Sequence, residues 1–146
     1  METIDAFAAA YPLDILIADY DVDDRKAMKT LLTQLGYAPD EATSDSEVLR
    51  LAGIRQYDVI LMDIRIPGIE RVIDAPRSQG RMGREPAGAG DVRPILIAIA
   101  AVTAKDFRTT SLQARMDSSI TRPMDRQELL LQLKACSVLA GKCCVK

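Results

Sequence analysis

The sequence predicts an α/β fold, a parallel sheet of five strands with helices on both faces. Three observations carry that expectation. Ile15-Leu-Ile-Ala18, Val59-Ile-Leu-Met62 and Ile95-Leu-Ile-Ala-Ile-Ala100 are apolar without interruption, as strands buried on both faces are. Between such runs lie stretches with helical spacing, the clearest being Met28, Leu31, Leu32 and Leu35 at i, i+3, i+4 and i+7. Cap and turn residues separate the two kinds of segment, so strands alternate with helices.

In chain order, Pro12 marks where the preceding segment stops, and residues 1–12 read as an N-terminal linker. Asp14–Ala18 is the first strand. Asp23 and Asp24 then stand at the positive end of a helix, which Gly36 ends. Tyr37–Ala42 is a weak strand, interrupted by Pro39 and therefore expected at an edge. Ser44-Asp-Ser-Glu47 is a capping box opening a helix with Val48, Leu51 and Ala52 as its apolar residues. The third strand ends at Asp63, and Glu70 to about Ala75 reads as a short helix. Ser78–Asp91, rich in Gly, Arg and Ala, reads as a mobile loop. Ile95–Ala100 is the clearest buried strand, Lys105–Ala114 a surface helix and Ser119–Thr121 a minimal fifth strand. Asp125 to about Ala140 is the final helix, with Leu129, Leu133, Cys136 and Ala140 on one face. The domain is expected over 13–140, with 141–146 as a C-terminal tail. The sheet order expected is 2-1-3-4-5, the flavodoxin-like, doubly wound arrangement.

Bulk properties narrow the function. At 146 residues, the chain suits one α/β domain. A net charge of −2 offers no basic surplus for nucleic acid or anionic lipid. No apolar stretch approaches the roughly 20 residues needed to span a bilayer, and Glu2 and Asp5 exclude the basic start of a signal peptide. A cytoplasmic location is expected. With no histidine, imidazole zinc sites and His-dependent triads are excluded. Cys136, Cys143 and Cys144 lack metal-ligand spacing, and Cys143-Cys144 reads as an exposed tail feature.

The carboxylates point to a site. In the expected topology the carboxyl ends of strands one and three are neighbours at the switch point, where open α/β sheets place ligands. Asp19 and Asp21 follow strand one and Asp63 ends strand three. Such acids attract a hard cation such as Mg²⁺ and repel an unescorted phosphate or flavin. Asp21, Asp23 and Asp24 also fit as helix cap and dipole residues. That bland reading is preferred for Asp23 and Asp24, and the functional one for Asp19 and Asp63.

Several segments together resemble a response-regulator receiver domain of the kind attached to bacterial hybrid histidine kinases. They are Pro12-Leu-Asp-Ile-Leu-Ile-Ala-Asp19, Leu32-Thr-Gln-Leu-Gly-Tyr37, Tyr57-Asp-Val-Ile-Leu-Met-Asp63, Arg93-Pro-Ile-Leu96, Ala114-Arg-Met-Asp117 and Arg122-Pro123. The resemblance implies Asp63 as phosphoacceptor. It also implies Mg²⁺ held by Asp19, Asp63 and the backbone carbonyl of Arg65, and Arg122 as the cation facing the phosphoryl group; Asp21 is the substitute ligand to weigh, although its place in the turn is expected to point it elsewhere. The implied partners are a histidine kinase or phosphotransfer domain. A homodimer through the Lys105–Ala114 helix, the fifth strand and the final helix is implied as well.

The chain departs from the family pattern at several positions. Tyr20 replaces the second acid after strand one, a far poorer Mg²⁺ ligand whose bulk is expected to intrude on the site. Ala100 stands where the family has a Ser or Thr, with Thr103 three residues further on. Arg122 stands where the family has lysine, and Ser119 at the aromatic switch position. The loop after Pro67 is about three residues short, and Arg71–Arg84 does not resemble the family's third helix.

Two functions follow. One is a receiver of a two-component phosphorelay, phosphorylated on Asp63. The other is a degenerate pseudo-receiver that regulates a neighbouring kinase by docking, and the altered switch positions tilt the chemistry toward it. The chain carries neither an ATP-binding glycine motif nor a phosphorylatable histidine, so it is not expected to be an enzyme itself. It reads as a stand-alone receiver or, by preference, the terminal receiver of a hybrid kinase.

Overall fold

A computed structural model describes residues 3–78, 94–101, 115–122 and 125–140. Its elements are α1 (Thr3–Ala10), β1 (Ile15–Ala18), α2 (Val22–Gln34), β2 (Asp40–Ala42), α3 (Asp45–Ile54) and β3 (Val59–Asp63). They are followed by α4 (Ile69–Ser78), β4 (Ile95–Ala101), β5 (Ser118–Arg122) and α5 (Arg126–Leu139). The five strands form one sheet in the order β2-β1-β3-β4-β5, and every pairing is parallel. This is the expected flavodoxin-like topology, with the Pro39-interrupted strand at an edge.

Alternation within the apolar strands builds two cores from one sheet. Leu16, Ala18, Ile60, Met62, Leu96 and Ala98 face one side and pack with Val48 of α3 and Ile69, Val72 and Ile73 of α4. Ile15, Ile17, Val59, Leu61, Ile97 and Ile99 face the other, against Met28 and Leu32 of α2 and Leu129 and Leu133 of α5. Each of β1, β3 and β4 is thus sealed between two layers, which is why its sequence shows no polar face.

The caps follow the sequence. Asp21 caps α2 by accepting from the Asp23 and Asp24 amides, and Gly36 adopts φ 99° just beyond the helix end. Ser44 caps α3 by accepting from the Glu47 amide at 3.2 Å. The Glu47 carboxylate reaches back one residue further than in the usual box, to the Thr43 amide at 2.8 Å. Asp125 caps α5, accepting from the Gln127 amide.

Three expectations are corrected. Residues 1–12 are not a plain linker, because Thr3–Ala10 is helical. Phe7 and Ala8 pack on the α2/α5 side of the core, the Phe7 ring lies 4.9 Å from that of Tyr11, and Tyr37 Oη donates to the Tyr11 carbonyl at 2.6 Å. The short helix expected from Glu70 to about Ala75 is present as α4 but longer, beginning at Ile69 because Ile69, Val72 and Ile73 form an apolar stripe that is fully buried. It runs to Ser78, past Pro76, whose missing amide costs only one bond near the helix end. Ala52 is exposed, and Leu49 and Leu51 supply the apolar flank of α3 instead. The expected 105–114 helix, the residues of the 78–91 loop beyond Ser78, Thr103 and Cys143-Cys144 lie outside the described residues. Among the described residues no helix is long and apolar enough to cross a membrane.

Candidate functional site

Parallel pairing of β1 with β3 aligns Ala18 with Met62, so the residues that leave these strands, Asp19 and Asp63, arrive side by side at the carboxyl edge of the sheet. Both are buried, at 2% and 1% exposure. The first turn of α2 brings a third acid to them. One carboxylate oxygen from each of Asp19, Asp24 and Asp63 lies within 4.8 Å of the other two. Asp19 is held by the Asp21 amide, which donates to Oδ1 at 2.9 Å, while its carbonyl accepts from Arg25 Nη1 at 2.9 Å. Arg25 in turn pairs with Glu41 at 3.2 Å.

Arg65 closes the cluster. Its amide donates to Asp63 Oδ1 at 2.8 Å. Its Nε reaches both Asp63 oxygens, at 3.0 and 3.1 Å, and its Nη2 reaches Oδ2 at 2.5 Å. The same Nη2 pairs with Asp24 at 3.1 Å. Hydrogen bonding to Asp63 holds the guanidinium firmly in its charged form. The Asp63 side chain is 0% exposed beneath it, whereas Arg65 itself is 44% exposed. Tyr20, half exposed, presents its ring 5.4 Å from the guanidinium carbon, within cation–π range.

The predicted residues therefore divide. Asp19 and Asp63 come together as expected. Asp21 is occupied as the α2 cap, and Asp24, read from the sequence as a dipole residue, sits in the cluster in its place. The signal that could have found Asp24 is its spacing. It follows Asp19 by five residues and stands in the first turn of α2, where a side chain reaches back over the strand end. Tyr20 lies on the surface against Arg65 rather than intruding among the carboxylates. Arg65, predicted for its carbonyl, enters through its amide and guanidinium. Ala100 is buried on β4, paired with Thr121, and carries no hydroxyl. Ser119 is half-buried on β5 opposite Ala98, and Arg122 ends β5 opposite Ala101.

Three carboxylates are a suitable donor set for a hard divalent cation. Mg²⁺ prefers six oxygens at about 2.0–2.1 Å, which places neighbouring ligands about 3–4 Å apart. The cluster meets that with a small inward shift, so its chemistry fits, with Asp19, Asp24 and Asp63 as the holding residues.

Comparison with known proteins agrees with this geometry. Residues 15–134 match the response regulator receiver domain family. Response regulator MprA of Mycobacterium sp. (strain KMS) is 27% identical over 127 residues, covering 85% of this chain and 50% of that protein. The chain thus spans about half the length of the mycobacterial relatives it matches. Histidine protein kinase 1 of Candida albicans is 32% identical over 127 residues, 82% of this chain and 5% of the kinase. Among solved structures, the receiver domain of the sensor histidine kinase PA1611 from Pseudomonas aeruginosa, with magnesium coordinated in its active-site cleft, superposes with a TM-score of 0.67. It is 25% identical, covering 86% of this chain and 98% of that one. The Francisella response regulator 1452 receiver domain shares the fold at a TM-score of 0.68 and 21% identity, covering 88% of this chain and 98% of that one. Sheet order, acidic edge and sequence likeness converge, and the chain belongs to the response regulator receiver domain family of two-component signalling.

Proposed function

We propose that Asp63 is the phosphoacceptor of this receiver. The observation that carries the reading is the position of Asp63, at the end of the central strand β3, with Asp19 and Asp24 beside it. A carboxylate oxygen of Asp63 attacks the phosphorus of a phosphohistidine in line with the N–P bond. That bond breaks, the imidazole leaves and takes up a proton from solvent, and an acyl phosphate remains on Asp63. A divalent cation, when bound, offsets charge on the phosphoryl oxygens. Asp19 and Asp24 bring carboxylates to the edge for it, and Arg122, which ends β5, is the residue to which this reading assigns the phosphoryl-stabilising cation.

The donor in this reading is a histidine kinase or a phosphotransfer domain. A place at the end of a hybrid kinase is supported by relatives whose names are those of sensor kinases, EvgS of Escherichia coli O157:H7 among them. The receiver unit spans 13–140, with α1 as an addition before it. An outer face of α5 supports pairing with a second copy or another protein, since Leu131 and Val138 lie seven residues apart on one side and both are exposed.

Acetyl phosphate with Mg²⁺ tests the reading. Intact-mass spectrometry is expected to show one phosphoryl group added to the wild type and none to Asp63→Asn. A wild type that stays unmodified at millimolar donor, or an Asp63→Asn variant that is still modified, would overturn it.

A further inference from the structure

We propose that the Arg65 guanidinium is a tethered counter-cation that occupies the acidic site in place of a divalent metal and must leave Asp63 and Asp24 before metal binds. The inference rests on the reading of Asp19, Asp24 and Asp63 as a cation site. Its basis is the way Arg65 covers that site. Both Asp63 oxygens accept from the side chain, and Asp24 accepts from the same Nη2. Two of the three carboxylates are therefore engaged by one cation, and the Asp63 side chain has no solvent exposure. Neither a metal nor a phosphoryl donor reaches a carboxylate covered in this way.

The cover is built to move. Asp63 Oδ1 stays anchored by the Arg65 amide, which does not depend on where the guanidinium goes. The Arg65 side chain is 44% exposed, so moving its guanidinium further into water carries no desolvation penalty. Tyr20 offers a perch on the way out, since its half-exposed ring already lies 5.4 Å from the guanidinium carbon. In this proposal the side chain has two stations, the acids, which it holds while touching the ring, and the ring alone once it has left them. Metal at the acids shifts it toward the second, because a ligand favours the state it binds. Receptivity is then set by competition between an internal monovalent cation and an external divalent one.

Calorimetric titration with Mg²⁺, and Mn²⁺ binding followed by electron paramagnetic resonance, test the proposal on the whole chain. The set is wild type, Arg65→Ala, Arg65→Met and Asp63→Asn. Arg65→Met retains an apolar stem of similar reach and guards against misfolding of the alanine variant. Removing charge-assisted bonds to a covered carboxylate is expected to tighten metal binding by on the order of tenfold or more in both Arg65 variants. Wild-type binding is also expected to be weaker than theirs at every salt concentration. Equal affinity in wild type and the Arg65 variants, with binding lost in Asp63→Asn, overturns the tethered cation and leaves the acidic site standing. Absence of binding in every protein overturns the acidic site and the tethered cation together.

Discussion

At the amino-terminal end of the sheet, Arg55 pairs with Asp40 at 2.7 Å and Asp14 at 3.1 Å, and its guanidinium carbon lies 5.4 Å from the centre of the Tyr57 ring. At the carboxyl-terminal end, Arg65 pairs with Asp63 and Asp24 and lies 5.4 Å from the Tyr20 ring. Both ends thus combine an arginine, two acids and a tyrosine, and they differ in which part is buried. Below, the tyrosine is buried at 1% exposure and its hydroxyl donates to Asp40 at 2.6 Å, while Asp14 and Asp40 are 42% and 37% exposed. Above, Asp63 is buried, Asp24 is 37% exposed and the tyrosine is half exposed. A buried phenol with a satisfied hydroxyl is a fixed part of the core. A buried carboxylate under a removable cation is a site whose charge can be reassigned.

The sharpest way to break the comparison is to remove each arginine in turn. Arg65→Ala without metal strips Asp63 of its counter-cation while Asp19 and Asp24 remain beside it. Urea denaturation at neutral pH is expected to show a loss of about 2–3 kcal/mol, with Mg²⁺ restoring much of it by binding the folded state alone. A loss in Arg65→Ala as small as that in Arg55→Ala, untouched by Mg²⁺, would show that the two ends are alike.

Next in size is the phenol. Tyr57→Phe removes the hydrogen bond to Asp40 and is expected to cost about 1 kcal/mol. Burial, followed by the Asp40 hydrogen bond, pushes the Tyr57 hydroxyl up from 10.0 to about 12. The folded chain therefore keeps this proton where the unfolded chain loses it. The contribution is complete below pH 10 and is lost as pH rises from 10 toward 12. Stability of the wild type is expected to fall more steeply with alkali than that of Tyr57→Phe, and equal slopes from pH-dependent denaturation would contradict the assignment. The smallest effect belongs to Arg55→Ala, whose ion pairs face solvent. A loss of about 0.5–1 kcal/mol is expected, shrinking as salt is added, and a larger, salt-insensitive loss would show that Arg55 holds the lower end together.

The contrast also explains what was legible in the chain. Asp63 was found because an unbroken apolar run ends on it, and the run itself announces a strand buried on both faces. Asp24 was missed because a helix-start acid looks the same whether it serves the dipole or leans over a neighbouring strand. Arg65 was expected only through its carbonyl, since nothing in Asp63-Ile-Arg65 shows which way a long side chain folds. The helix at 3–10 was missed because its burial depends on Leu35 and Tyr37, partners more than twenty residues away: the Ala8 amide donates to the Leu35 carbonyl at 3.0 Å, and the Phe7 ring lies 6.3 Å from that of Tyr37.

Local pattern was sufficient for the strands and most caps, because periodicity and capping are short-range properties of a chain, and the parallel order and the Asp19–Asp63 pair followed from the fold class that those elements imply. The third acid, the cation over Asp63 and the Tyr20 ring beside that cation required folding. Charges distant in sequence have no defined separation until the sheet sets β1 beside β3, and only then do burial and Coulomb attraction decide which cation belongs to which acid.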